Sequence, residues 1–241
     1  MKREAVLNKL NRQIYDGKFL LGVATATGMS AINAKKGGAD LILALNSGKF
    51  RQMGRSSLGG YLPFANSNEL VMDFSTKELL PILGNSPVLF GVNATDPLLD
   101  SSELIHLIKE CNFAGIVNYP TISLIDGKFR EALEEEQITF SQEVAFIGKA
   151  KKAGLFTMGF VTNINEAEQI DRVNPEIICI HLGLTEGGNL GAKKMRSFEN
   201  MLSTIQDICL KLKELKSTSI IMVYGGPIND LIEIRYVYNK F

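Results

Sequence analysis

The apolar run Ile177-Ile178-Cys179-Ile180 breaks at His181 and opens into Gly183-Leu184-Thr185-Glu186-Gly187-Gly188-Asn189-Leu190-Gly191. An imidazole titrates near neutrality and serves as a general acid or base, while closely spaced glycines let backbone N–H groups approach an anion. The segment thus offers proton transfer at His181 and an anion cradle at Gly187 and Gly188. A core histidine followed by an ordinary loop fits the same residues. Arg51 and Arg55, four residues apart, share a face if their segment is helical, and two guanidinium forks suit a phosphate or a carboxylate. The plainer alternative is a solvated basic turn, although the flanking Gly48, Gly54, Gly59 and Gly60 favour a loop that covers a ligand. Asp96 and Asp126 each supply a carboxylate for proton transfer or for a hydrated Mg²⁺, and Asp96-Pro97 and Asp126-Gly127 read equally as turn signals. His106 falls inside a helical segment and is read as structural or surface-exposed.

These groups need a scaffold, and the hydrophobic pattern supplies one. Short β-like runs at 19–27, 39–45, 87–92, 115–119, 155–161, 176–182 and 218–224 alternate with amphipathic segments such as 101–111, 141–153, 165–172 and 197–215. That rhythm is the signature of βα units and a parallel sheet, with Ser or Asn opening several helices as caps. Polar or glycine residues collect just after the runs: Thr25 and Thr27, Asn46 and Ser47, Asn93 and Asp96, Asn118 and Thr121, Thr162 and Asn163, His181, then Gly225 and Gly226. In a barrel all of these positions converge on one face, whereas in an open sheet they spread along an edge. A closed (β/α) barrel needs eight strands and seven are readable here. The expectation is a TIM-barrel-like α/β domain spanning 1–241 and short at its C-terminus. Its first and last strands then keep free edges, covered by a partner subunit or by a further segment, and a homo-oligomer follows as the expected state.

Composition excludes several classes of partner. The chain has 241 residues, is 45% hydrophobic, and carries 26 Lys plus Arg against 26 Asp plus Glu. No long-range field is available to gather nucleic acid or an anionic membrane surface, so a small metabolite or a protein is the expected partner. The first 19 residues are charged and amphipathic, without the apolar core of a signal peptide, and no apolar run is long enough to span a bilayer. A cytoplasmic protein is expected. Cys111, Cys179 and Cys209 are odd in number and far apart in apolar surroundings, which reads as reduced core residues rather than disulfides or a zinc site. The tripeptide Gly-Lys-Phe recurs at Gly17, Gly48 and Gly127, but the flanks do not align as an internal repeat.

The chain resembles the phosphoenolpyruvate hydrolase-like TIM-barrel family, also found as the C-terminal domain of a plant tobamovirus-resistance protein. The resemblance rests on Asn46-Ser47-Gly48-Lys49-Phe50-Arg51 with Gly54-Arg55-Ser56-Ser57-Leu58, and on Gly91-Val92-Asn93-Ala94-Thr95-Asp96-Pro97. It continues with Asn118-Tyr119-Pro120-Thr121 followed by Leu124-Ile125-Asp126-Gly127-Lys128-Phe129-Arg130, the 181–191 loop, and Tyr224-Gly225-Gly226-Pro227. Family members typically carry one more strand and a Ser- and Arg-containing loop after the Gly-Gly-Pro segment, so site residues there are absent from these residues. The resemblance implies an enzyme acting on a small phosphorylated or carboxylated metabolite, most concretely phosphoenolpyruvate-type hydrolysis. In that expectation His181 and Asp96 are catalytic, and Asn46, Ser47, Arg51, Arg55, Asn118, Thr121, Gly187, Gly188, Gly225 and Gly226 hold the small anionic metabolite. Mg²⁺ is an optional cofactor with Asp96 and Asp126 as its candidates. A C–C or P–C bond lyase or mutase on an oxo acid uses many of the same parts. A non-catalytic regulatory barrel that binds a metabolite or a protein is the reading from another class.

Overall fold

Leu41-Ile42-Leu43-Ala44 and Phe156–Val161 are buried along their whole length, as expected of strands covered by helices on one face and by one another's side chains on the other. The computed structural model describes residues 2–185, 197–228 and 230–241. Seven such runs form one parallel sheet in chain order: β1 (Gly22–Thr25), β2 (Leu41–Ala44), β3 (Val88–Val92), β4 (Gly115–Asn118), β5 (Phe156–Val161), β6 (Ile177–His181) and β7 (Ile220–Tyr224). Each span expected from the sequence contains its strand. Helix α1 (Arg3–Tyr15) precedes the sheet. The crossovers use α2 (Gly28–Lys36), α3 (Asn46–Gln52), α4 (Ser67–Phe74), α5 (Leu80–Leu83), α6 (Ser101–Glu110), α7 (Gly127–Glu135), α8 (Phe140–Lys152), α9 (Ile164–Asp171) and α10 (Phe198–Glu214), and α11 (Leu231–Lys240) follows β7. Helix starts follow capping chemistry. Ser197 accepts from the Asn200 N–H at 3.3 Å as its position suggests, whereas Asp100 and Asn163, rather than Ser101 and Asn165, cap α6 and α9.

The sheet curls, and its two faces bury different clusters. Leu41, Leu43, Leu45, Leu89, Val117, Phe156, Phe160 and Cys179 pack together on the inner face. Ile42, Ala44, Phe90, Ile116, Ile178 and Ile180 meet the surrounding helices through Val71, Ile108, Ile147, Ile170 and Ile205. Val6 and Leu10 of α1 join the inner cluster, so α1 closes one end of the curl. Two buried carboxylates fasten it. Glu176 accepts from Arg3 Nε and from both the N–H and the hydroxyl of Thr157, each at 2.7 Å. Asp40 accepts from the Leu21 N–H at 3.0 Å and from the Gln13 amide.

The expected gap in the barrel is present: among the described residues no pairing joins β7 back to β1. Its outer side is spanned by α11. Tyr238 stacks on Phe19 with ring centroids 4.3 Å apart and donates to the Leu20 carbonyl at 3.4 Å, while Val237 enters the core. All three cysteines are free, with Cys179 buried. His106 is exposed beside Glu110 at 3.4 Å. Among the described residues no helix is long and apolar enough to cross a membrane.

Candidate active site

Parallel strands deliver their C-terminal ends to one rim, and there the structure assembles a cluster of rings around His181. The β6–β7 register sets His181 opposite Tyr224, with ring centroids 5.0 Å apart. Phe160 from the end of β5 lies at 5.1 Å, and Tyr119, just beyond β4, lies at 6.4 Å and nearly parallel. The imidazole is only 4% exposed, and this burial pushes its pKa down to about 4. Nδ1 accepts the Gly183 N–H at 3.1 Å, so the neutral ring carries its proton on Nε2. Gly225, with φ +83°, presses against this turn: a Cβ there would lie 2.2 Å from the Gly183 carbonyl oxygen. Gly226 likewise abuts Leu182 and Met201. The two glycines therefore seat the β7 loop against the His181 turn.

A second wall comes from the chain after β2. Asn46 and Ser47 are both 2% exposed. The Asn46 amide is spent on the fold, accepting from the Ser47 N–H at 2.6 Å and donating to the Gly60 carbonyl at 2.8 Å. Gly60 must lack a side chain, since a Cβ would stand 2.8 Å from Asn46 Oδ1. The 3-10 turn Ser57–Tyr61 is thereby laid over the rim and brings the Tyr61 ring edge-on to Tyr119, at 5.8 Å. Burial raises the Tyr119 pKa, while the Ser47 and Tyr61 hydroxyls and the Arg51 charge act to lower it. The Arg51 charge is thus felt at the Tyr119 hydroxyl. Arg55 does not share its face, because α3 ends at Gln52 and Gly54, with φ +72°, turns the chain away, leaving Arg55 exposed.

The β4 end is a polar core rather than an open surface. Asn118 is fully buried; its amide donates to Glu143 at 2.6 Å and to the Phe160 carbonyl at 3.2 Å, and accepts from the Phe160 N–H at 2.6 Å. Glu143, on α8, also accepts from the Ile122 N–H at 2.9 Å. Burial raises its carboxyl pKa to about 7, against the opposing pull of these bonds. Thr121 caps the short turn beginning at Ile122 through the Ser123 N–H at 3.2 Å, directly after the cis Tyr119-Pro120 bond. Sequence reasoning missed Glu143, Tyr61 and Tyr119. A signal for Glu143 existed: it sits three residues after Phe140 and four before Ile147, on the buried stripe of an amphipathic helix.

Asp96 and Asp126 differ in what holds them. Asp96 accepts from the Asn66 and Asn68 amides at 3.2 and 3.3 Å and from the Leu98 N–H at 3.0 Å, so it ties the β3 loop to α4. Asp126 is exposed ahead of α7 and makes no side-chain cap bond. Among the described residues no group of three His, Cys, Asp or Glu converges as a metal site. Gly187 and Gly188 lie outside the described residues.

A curled parallel sheet with its polar residues gathered at the strand C-termini defines a TIM-barrel-like α/β protein. The chain belongs to the phosphoenolpyruvate hydrolase-like family, whose family model matches residues 5–241. It is 38% identical over 239 residues to the ToMV resistance protein Tm-1(GCR237) of Solanum lycopersicum, a match covering 99% of this chain and 32% of that protein. It is also 34% identical over 209 residues to the putative transcriptional regulatory protein y4pA of Sinorhizobium fredii (strain NBRC 101917 / NGR234), covering 87% and 34%. The chain therefore spans about a third of the length of these curated relatives. Among solved structures, a phosphoenolpyruvate phosphomutase from Streptomyces platensis subsp. rosaceus superposes with a TM-score of 0.57 at 12% identity, over 97% of this chain and 84% of that one. A phosphonopyruvate hydrolase in complex with oxalate and Mg++ gives 0.52 at 11% identity, over 98% and 86%. At such identities the likeness is one of fold.

Proposed function

We propose that this chain is an enzyme acting on a small carboxylated or phosphorylated metabolite at the rim around His181, with phosphoenolpyruvate-type hydrolysis as its most concrete form. The observation that carries this reading is the gathering of a neutral imidazole with the Tyr119 and Tyr224 rings at the strand ends, where the Ser47 hydroxyl and the Arg51 charge also act on Tyr119. Arg51 neutralises the anionic end of the substrate. His181, uncharged down to about pH 4, donates a hydrogen bond from Nε2–H to oxygen that gains negative charge as the reaction proceeds and keeps that proton throughout, rather than abstracting one as a base. Gly225 and Gly226 hold the β7 loop against that imidazole. Asn46, Asn118 and Thr121 act one layer out, fixing the backbone from which Ser47 and Tyr119 project. Cleavage of a C–C or P–C bond in an oxo acid is the second reading, favoured by the same neutral donor, because an enolate oxygen is what such a group stabilises.

The test is release of pyruvate and phosphate from phosphoenolpyruvate and from phosphonopyruvate, with binding followed by calorimetry on the same preparation. Turnover of either supports the enzyme reading and separates hydrolysis from P–C cleavage. Binding without turnover of any oxo acid would favour a regulatory barrel. Arg51→Ala is expected to weaken anion binding by roughly 10–100-fold, the equivalent of losing one charge-assisted contact of about 1.5–3 kcal/mol. Arg55→Ala, removing an exposed side chain beyond α3, is expected to leave affinity within about 3-fold. Equal losses at the two positions would show that both arginines reach the ligand.

A further inference from the structure

Apolar surface is left open along one part of the rim. Met29, Met53, Leu58, Leu62, Phe64 and Leu98 are each between 51 and 86% exposed. They follow three different strands, yet local contacts make them neighbours. The Gln52 amide donates to the Ser30 hydroxyl at 2.5 Å, which sets Met53 beside Met29. The Phe50 ring lies against Gly59, where a Cβ would stand 2.9 Å away, and 6.3 Å from the Phe64 ring, so it joins Leu58 to Phe64. Asn66 donates to Asp96 at 3.2 Å and Asp96 accepts the Leu98 N–H at 3.0 Å, which ties the Phe64 and Leu98 loops side by side. Beside this ridge runs a groove of about 710 Å³ between α4 and α6, starting at Ala65 and lined by Leu70, Met72, Leu104 and Leu107. Single exposed apolar side chains are ordinary, whereas a continuous ridge of six marks a contact surface.

We infer that a second copy of this chain docks here, the ridge of each copy lying along the groove of the other about a two-fold axis near Phe64. The area fits that occupant. Six large apolar side chains at this exposure leave several hundred Å² open, and with the groove they approach the roughly 800 Å² per partner of a stable interface. The charges fit it too. The ridge carries Arg55 and the groove wall carries Glu69, both exposed and neither with an ion-pair partner among the described residues. Ridge on groove brings Arg55 of each copy to Glu69 of the other, so one chain supplies both complementary halves, as an isologous contact requires. Met29 and Met53 add side chains that adapt to the shape they meet. This contact is distinct from the β1 and β7 edges, whose outer side α11 spans, and it is independent of the reaction proposed above.

The experiment is sedimentation velocity of the full chain over a wide range of concentration, with circular dichroism to verify the fold of each variant. Wild-type protein is expected to form a reversible dimer and nothing larger, because a two-fold contact closes on itself. Phe64→Asp and Leu98→Asp, both at exposed positions, are each expected to weaken the dimer by at least about 10-fold. Arg55→Glu and Glu69→Arg are each expected to weaken it by about 3–10-fold, and the double exchange to recover most of that loss. Ile232→Asp, which charges the exposed face of α11 instead, is expected to leave dimerisation unchanged. A wild-type chain that stays monomeric throughout would overturn the inference. So would a dimer that survives both Phe64→Asp and Leu98→Asp, or one that Ile232→Asp dissociates. Open-ended association, or a double exchange no tighter than its single variants, would overturn the two-fold pairing of ridge and groove.

Discussion

Replacing His181 with asparagine is expected to lower turnover of the oxo-acid or phosphoenolpyruvate substrate by about 10²–10³-fold, the range associated with loss of a positioned hydrogen-bond donor to developing negative charge. The fold is expected to survive. The asparagine carbonyl oxygen stands in for Nδ1 as acceptor of the Gly183 N–H, a bond of 3.1 Å in the native chain. What is lost is the Nε2 proton and the ring contacts with Phe160, Tyr119 and Tyr224, at a stability cost of roughly 1–2 kcal/mol. Steady-state kinetics beside urea unfolding separates these effects. Full activity with a large loss of stability would make His181 a core residue and nothing more. The pH profile supplies an independent check. An ordinary histidine titrates near 6.5, but burial holds this one neutral down to about 4. The profile of kcat/KM should therefore run level through pH 6.5, and an inflection centred there would contradict the assigned neutral role.

The largest stability effect is expected at Glu143. Truncation to alanine removes the acceptors of the Asn118 amide and the Ile122 N–H inside the protein. Two orphaned buried donors and a cavity together should cost about 3–5 kcal/mol in urea unfolding. A change below about 1 kcal/mol would show that water reaches these donors. The same carboxyl and His181 should give opposed pH dependences. Burial raises the folded pKa of Glu143 from 4.5 to about 7. Between those values the unfolded chain releases this proton and the native chain keeps it, so stability falls as pH rises. Burial lowers the folded pKa of His181 from 6.5 to about 4. Between those values the unfolded chain gains a proton that the native chain refuses, so stability falls as pH drops. Each shift corresponds to about 3 kcal/mol by linkage, and from pH 4.5 to 6.5 the two slopes cancel. Wild-type stability should vary little over that range from these two groups. Glu143→Gln is expected to expose the histidine slope, with stability rising toward pH 6.5, and His181→Asn the carboxyl slope, with stability falling toward pH 7. Parallel pH curves for all three proteins would refute the assigned shifts.

The periodicity of the chain determined its architecture. Seven apolar runs, each bounded by turn residues and separated by amphipathic segments, had one economical arrangement, and they form the parallel sheet β1 to β7 in chain order. The strand ends were legible for the same reason: where a buried run stops at Asn46, Asn118 or His181, the next side chains must lie at the rim. The gap between β1 and β7 followed from the strand count. Which of those side chains meet one another was not legible. The four-residue spacing of Arg51 and Arg55 suggested a shared face, yet α3 stops between them and Gly54 turns the chain, leaving one arginine half-buried in the helix and the other exposed beyond it. Asp96 read as a water- or metal-positioning carboxylate and is held by Asn66 and Asn68 from α4 and the residue before it. Tyr61 and Tyr119 looked like ordinary aromatics until the 3-10 turn laid one against the other, and Glu143 looked like one more charge on a helix until it closed on Asn118, a contact spanning 25 positions of sequence. Local spacing encodes element type because helix and strand periods are properties of neighbouring residues. Burial, desolvation and the completion of buried hydrogen bonds arise only when distant segments pack, so the chemistry of the rim was decided by the tertiary structure.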